Sequence, residues 1–322
     1  VKPALNTHHR PTEKDALAIA HSLSGEQPLS VQRFATGIGH WVYEVRAEDG
    51  SAKVVRMGLS SQVDDFTGAI HWSNTLRPLG VPLPELLSHG EYRGLPYLVL
   101  ERLAGEDLEQ VYTRLSLPER RAIAEEVCEI QCLVGRLPQG EGYGFVRFPG
   151  SQAHRSWADV VDASLARSRS RILQADLISP RPVERVSEQA KRFAGYFSRV
   201  PATPFLDDVT TKNVLVHAGR LSGIVDVDWI CYGDSLFTLA LTRAAILSAG
   251  ANPDYTDHWC DLLALTSEQQ AVVHFYTALF CVDFMSEFGQ VFNHAVTALD
   301  LERLARLEKI LDEHLGRIKA IG

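Results

Sequence analysis

The sequence predicts an α+β protein of two lobes, a strand-rich one followed by a mainly helical one. Three observations predict it. The first hundred residues hold five short runs of strand character around one helical pattern. The remainder carries long stretches of 3.6-residue apolar periodicity. One β-hairpin interrupts those helices, with Asp and Asn at its two mouths. At 322 residues the chain suits two domains of about 150 residues each. The expected division is 1–103 and 104–322, with Ala104-Gly105-Glu106-Asp107 at the joint.

Each element has a local reason. Thr12 caps a first helix over 11–24, with Ala16, Leu17, Ile19 and Ala20 on its apolar face. A strand over 29–35 runs into Gly37-Ile38-Gly39. A second over 41–47 alternates, Asp49-Gly50 makes a hairpin turn, and a third covers 53–57. A helix follows over 63–79, and Val81-Pro82-Leu83-Pro84 stops it. Strands over 85–89 and 96–102 complete a five-stranded, mostly antiparallel unit. Beyond it, helices are expected over 118–137, 157–177, 182–197, 235–248, 267–288 and 300–318. The last has leucines at 301, 304, 307, 311 and 315, under three heptads, and reads as a core-facing helix rather than a coiled coil. The hairpin pairs 214–216 with 221–227 around Ala218-Gly219.

Composition narrows the function. With 45% hydrophobic and 22% charged residues the chain is an ordinary globular one. A net charge of −8 argues against nucleic-acid binding. The acidity sits late: residues 200–322 carry 16 acids and 8 bases, whereas 155–199 carry 9 bases and 5 acids. No apolar run reaches the roughly 18 residues of a spanning helix, and the polar first ten residues show no signal-peptide core. Five scattered cysteines suit neither a disulfide framework nor a zinc site. The expected location is cytoplasmic, without membrane partners.

The informative segment is 205–234, FLDDVTTKNVLVHAGRLSGIVDVDWICYGD. Asp208 and Asn213 flank a short loop before the hairpin, and Asp226 ends its second strand. A hairpin with such groups at both mouths gathers Asp208, Asn213 and Asp226 into one pocket. Hard oxygen ligands without Cys or His are what Mg²⁺ prefers. A further carboxylate beside the metal is what a phosphoryl acceptor needs to orient and deprotonate its hydroxyl. Lys212, one of only seven lysines, lies four residues after Asp208, where developing charge needs a cation.

Asp-x4-Asn, an apolar strand, a Gly-containing turn, Gly-Ile-Val-Asp and Tyr-Gly-Asp together resemble the aminoglycoside phosphotransferase family, whose members share the protein-kinase fold. The resemblance covers nearly the whole chain. Gly37-Ile38-Gly39-His40-Trp41-Val42-Tyr43 is similar to the phosphate-covering loop, and Val54-Val55-Arg56 to the third strand with its cation. Tyr97 to Leu103, followed by Gly105, is similar to the hinge whose backbone meets adenine. The resemblance implies a bilobed protein-kinase-like fold that moves the γ-phosphoryl of Mg·ATP to a hydroxyl of a small molecule. It implies Asp208 as catalytic base, and Asn213 and Asp226 as metal ligands. Gly37 and Gly39, Arg56, and Glu101 and Leu103 would meet the nucleotide.

There are departures. The family's His-Gly-Asp is Leu206-Asp207-Asp208 here, and Asp207 is a second possible base. The helix Glu that partners the third-strand cation has no equivalent: the matching position reads as Trp72, with Asp64 or Asp65 available only in another register. Arg56 or Lys53 can be that cation, on opposite faces of a regular strand; Arg56 is preferred. Asp228 is either a second metal ligand or a loop residue, and Asp234 reads as a cap or tether. The arginines at 167, 169 and 171 suggest an anionic acceptor. The acids at 254, 257, 261, 268, 283 and 287 suggest a cationic one. Sugars, amino alcohols, macrolides and aminoglycosides all remain open as acceptors. The departures also motivate an alternative, a nucleotide-binding regulator with little turnover. A dinucleotide-dependent oxidoreductase is disfavoured, because the glycines lie in a hairpin and the third is missing.

Overall fold

The computed structural model describes residues 10–24, 28–34, 39–151, 153–292 and 295–321. The helix α1 (Glu13–Ser24) begins with a reciprocal cap. The Thr12 hydroxyl accepts from the Asp15 N–H, and Asp15 accepts from the Thr12 N–H. Strands β1 (Pro28–Arg33), β2 (Trp41–Ala47), β3 (Ala52–Met57), β4 (Leu86–Tyr92) and β5 (Leu95–Glu101) form an antiparallel sheet in the order β1-β2-β3-β5-β4. The helix α2 (Val63–Leu76) is inserted between β3 and β4, and a single 3₁₀ turn carries it to Leu79.

Strand alternation decides what each face does. Trp41, Tyr43, Val45, Val55 and Met57 pack with Ala16, Ile19 and Ala20 of α1. Leu98 packs on the other face against Phe66 and Ala69 of α2. Arg56, between Val55 and Met57, therefore faces α2 and the cleft.

The second lobe begins with β6 (Glu106–Asp107), α3 (Leu108–Val111) and α4 (Leu117–Val134). Then come β7 (Gly144–Val146), α5 (Trp157–Ala175), α6 (Arg181–Ala190), α7 (Ala194–Phe197) and β8 (Thr203–Phe205). The hairpin is β9 (Val214–His217) with β10 (Arg220–Ile224), followed by β11 (Ile230–Gly233). The chain closes with α8 (Leu236–Ser248), α9 (Asp254–Leu262), α10 (Ser267–Met285), β12 (Val291–Phe292), β13 (Ala295–Val296) and α11 (Leu301–Ile321). Ser116 with Glu119, Ser156 with Asp159 and Thr266 with Gln269 form capping boxes that start α4, α5 and α10. The helix α10 is buried on nearly every side, at the centre of the main core. No helix among the described residues is long and apolar enough to cross a membrane.

One expectation needs correction. The hairpin is not the only β-structure after residue 103. The strand β6 adds to it as β10-β9-β6, and β7-β11-β8 makes a separate antiparallel sheet. The expected joint at 104–107 thus includes a strand, since Glu106 and Asp107 pair with Val216 and Leu215.

Candidate active site

The loop between β8 and β9 carries Asp208 and Asn213, and the loop between β10 and β11 carries Asp226 and Asp228. Antiparallel pairing of Ile224 with Val214 sets the two loops side by side, and the Val225 N–H donates to the Asn213 carbonyl at 2.9 Å.

The first loop is fastened at several points. Leu206 is buried, and the Gln131 side chain clamps its backbone, accepting from its N–H at 3.0 Å and donating to its carbonyl at 2.8 Å. Glu109 N–H donates to the Thr211 carbonyl at 2.9 Å. The Asn213 amide donates to the Asp208 carbonyl at 3.1 Å, which leaves the Asn213 side-chain oxygen for another partner. Asp208 is exposed; its Oδ1 accepts from the Thr210 hydroxyl at 2.8 Å, and its Oδ2 has no partner among the described residues.

Asp207 has a different environment. It is half-buried and accepts from the Trp229 indole at 3.1 Å. Burial, with the charge of Asp208 added, raises its carboxyl well above the usual range. Of the two adjacent acids, Asp208 is the one open to the cleft.

Arg56 sits opposite, 6% exposed. Its guanidinium forks onto Asp228, with Nη1 donating to Oδ1 at 2.6 Å and Nη2 to Oδ2. Nη2 also lies 3.0 Å from Asp226 Oδ1 and 2.6 Å from His40 Nδ1. Accepting from an arginine fixes Nδ1 as the bare ring nitrogen, so Nε2 carries the proton, 3.7 Å from Asp65. Burial and the Arg56 charge hold His40 neutral, with its pKa lowered to about 4. Asp65, on α2, is bonded to Arg147 at 2.6 and 2.9 Å, and Arg147 lies over the Trp229 ring.

Asp226 is the accessible acid here, its side chain 53% exposed against 9% for Asp228. Its φ of +64° is a left-handed conformation, uncommon outside glycine and more readily tolerated by Asp. The cleft walls and the carboxylates of Asp228 and Asp208 push it up to about 6, against the pull of Arg56. The open carboxylate of Asp226, with an Asn213 side-chain oxygen that has no partner among the described residues, is a donor pair that fits Mg²⁺.

Among the remaining expected residues, the Gly39 carbonyl accepts from Gln62 at 2.9 Å, and Gly37 lies outside the described residues. Glu101 ends β5, where its carboxylate accepts from the Glu85 N–H at 3.1 Å. Leu103 follows, with its carbonyl held by Arg102 and its N–H unpartnered among the described residues. Lys53 pairs in register with Glu101 and Val45, away from this cluster. Lys212 is exposed, and burial raises Glu287, with Arg303 and Lys212 pulling it back.

Several residues were not legible from the sequence. Trp72 does not face Arg56; it is buried and donates to the Val146 carbonyl at 3.2 Å. The α2 residue against Arg56 is Phe66, its ring centroid 5.4 Å from the guanidinium carbon. His40 lay within the segment similar to the phosphate-covering loop without a role of its own, and Gln131 had no motif to reveal it. Asp234 accepts from the Tyr196 and Tyr276 hydroxyls, each at 2.9 Å, and from the Leu236 N–H at 3.1 Å, so it is a tether. Most of the residues that gave opposing hints about the acceptor are already in ion pairs, the acids mainly with other arginines. Arg167 pairs with Asp283 at 3.0 Å and Arg303 with Glu287 at 3.6 Å. Asp254, Asp257 and Glu268 pair with Arg120, Arg243 and Arg199.

A sequence model of the phosphotransferase enzyme family (APH) matches residues 30–268. The chain belongs to that family. Solved structures share its fold, which is bilobed and protein-kinase-like. Aminoglycoside phosphotransferase APH(4)-Ia superposes with a TM-score of 0.66 at 17% identity, covering 96% of this chain and 98% of that one. A putative fructosamine-3-kinase from Haemophilus somnus 129PT gives 0.64 at 11% identity, covering 94% and 97%. Aminoglycoside phosphotransferase APH(2'')-Ib, solved with ADP, gives 0.62 at 14%, covering 94% and 99%. A comparison with curated protein sequences gives no significant match.

Proposed function

We propose that this family member transfers the γ-phosphoryl group of Mg·ATP to a hydroxyl of a small molecule in the cytoplasm, with 1–103 and 104–322 as its two lobes. One observation carries the reading. The exposed Asp208 and the amide of Asn213 are bonded into one loop beside the open carboxylate of Asp226, and a buried third-strand arginine stands opposite.

In this reading the Asp208 carboxylate orients the acceptor hydroxyl and takes its proton. The hydroxyl oxygen bonds to the γ-phosphorus as the bond to the β–γ bridging oxygen breaks, and ADP leaves. Lys212 lies beside the transferring group as a counter-charge. Asn213 and Asp226 would hold Mg²⁺ through their side-chain oxygens. Magnesium, when bound, neutralises phosphate charge and aligns the leaving oxygen. Arg56 and Gly39 would face the phosphates, and the backbone from Glu101 to Leu103 would face adenine.

Both departures that motivate a regulator have local replacements. Gln131 braces the loop where the family has His, and Arg56 has Asp228 in place of a helix acid. The acceptor side is informative as well. A polycationic acceptor would have to displace arginines from Asp283 and Glu287. The reading therefore favours uncharged or anionic hydroxyl compounds, sugars among them.

The test is transfer of label from γ-labelled ATP with Mg²⁺ to pooled sugars, amino alcohols, macrolides, nucleosides and aminoglycosides. The wild-type protein is expected to label one pool. Asp208→Asn is expected to lose about 10²–10⁴-fold in rate while binding ATP nearly as well. Transfer by the variant at the wild-type rate contradicts the assignment; ATP binding without transfer to any pool supports the regulator.

A further inference from the structure

We propose that Asp228 is the positioning residue that holds Arg56 in the cleft, replacing an acid on α2, and that it is not a metal ligand. The inference rests on the Mg·ATP reading and goes beyond it, since neither the motif nor the family match gives Asp228 a role.

A guanidinium 6% exposed needs a counter-charge, because an unpaired buried cation is costly. The helix α2 bonds no carboxylate to it, and Asp65 acts on it only at longer range. It presents the Phe66 ring to Arg56, Asp64 is exposed, and Asp65 is bonded to Arg147. Asp228 supplies it instead, with both oxygens engaged by the fork of the guanidinium. Two parallel charge-assisted bonds fix the plane of an arginine as well as its place.

The same geometry separates Asp228 from a metal. His40, Asp226 and Asp228 offer ligand atoms within 4.8 Å of one another, a spacing that suits an ion. Nη2 of Arg56 reaches all three groups: His40 at 2.6 Å, Asp226 at 3.0 Å, and Asp228. The cation of that cluster is therefore the arginine. Asp226 keeps an open side, whereas Asp228 is shut in beneath α2, with its carbonyl so close to Gly68 that a Cβ there would lie 2.2 Å away. The setting of the third-strand cation thus depends on the 226–228 loop, not on the orientation of α2.

A double-mutant cycle on the full chain tests this, with Mg·ATP as the titrant and melting temperature as the control for folding. Asp228→Asn and Arg56→Met are each expected to weaken Mg·ATP by about tenfold, the scale of one charge-assisted contact. Arg56→Met/Asp228→Asn, which removes both buried charges together, is expected to be within about twofold of Arg56→Met alone. Asp228→Glu is expected to restore most of the affinity lost in Asp228→Asn. The Mg²⁺ concentration needed at saturating ATP should be unchanged in Asp228→Asn. Effects that multiply to about a hundredfold, or a raised Mg²⁺ requirement in Asp228→Asn alone, would overturn the positioning role. Wild-type protein that does not bind Mg·ATP overturns the functional reading along with it, which keeps the two failures apart.

Discussion

Asp207 and Asp208 are neighbours in the chain with opposite surroundings. Asp207 faces the Trp229 indole and is raised by burial; Asp208 faces the cleft and is held by Thr210. Asp207 is turned to Trp229 while Asp208 is open to the cleft, so the pair should separate on substitution. Asp207→Asn, whose amide oxygen can still accept from Trp229, is expected to change kcat by less than about tenfold, against the far larger loss in Asp208→Asn. Equal losses in steady-state transfer assays would remove that distinction. The Asp-x4-Asn spacing was legible because it is local. The partners of Arg56 were not, because Asp228 lies 172 positions away and no periodicity joins them. Trp72 is the instructive error: counting along a helix gave a position, but the packing of Trp72 on Val146 turns a different residue, Phe66, toward the cation.

At the scale of elements, long periodic helices and alternating strands were legible, and short buried strands were not. The strands β7, β8 and β11 are three or four residues long, too short to alternate visibly, and β11 is buried throughout. Their sheet exists because tertiary neighbours complete it. Helix packing brings a pH dependence that no motif announces. His274 on α10 and His314 on α11 meet Nδ1 to Nδ1 at 3.2 Å. Burial, with Arg243 and Arg317 nearby, lowers His274 to about 4 and His314 further. The folded state therefore resists protonation that the unfolded chain accepts near 6.5. Stability contributed by the neutral pair is full above that value and falls as pH drops toward 4. The slope is about 1.4 kcal/mol per pH unit for each histidine. Urea midpoints at pH 7 and pH 5 should show a smaller drop in His274→Gln/His314→Gln than in the wild type. An identical drop in both would deny the pair that role.

At the scale of the whole molecule, the cleft is where the two lobes are sewn together. Arg56 reaches Asp228, Asp65 reaches Arg147, Trp72 reaches Val146, and the Ile224 N–H donates to the Pro82 carbonyl at 2.9 Å. The bilobed α+β class was legible because each lobe has its own periodicity. The seam was not, because it is built from contacts between distant segments. The chemistry proposed for it is that of a carboxylate-rich loop pair that needs a divalent cation to receive a nucleotide's phosphates. The most direct measurement is calorimetric titration of ATP into the wild-type protein and Asp226→Asn, with and without Mg²⁺. The account predicts that Mg²⁺ tightens ATP binding at least tenfold in the wild type, and that Asp226→Asn loses most of that gain. ATP binding that is indifferent to both Mg²⁺ and Asp226, or no binding at all, would contradict it.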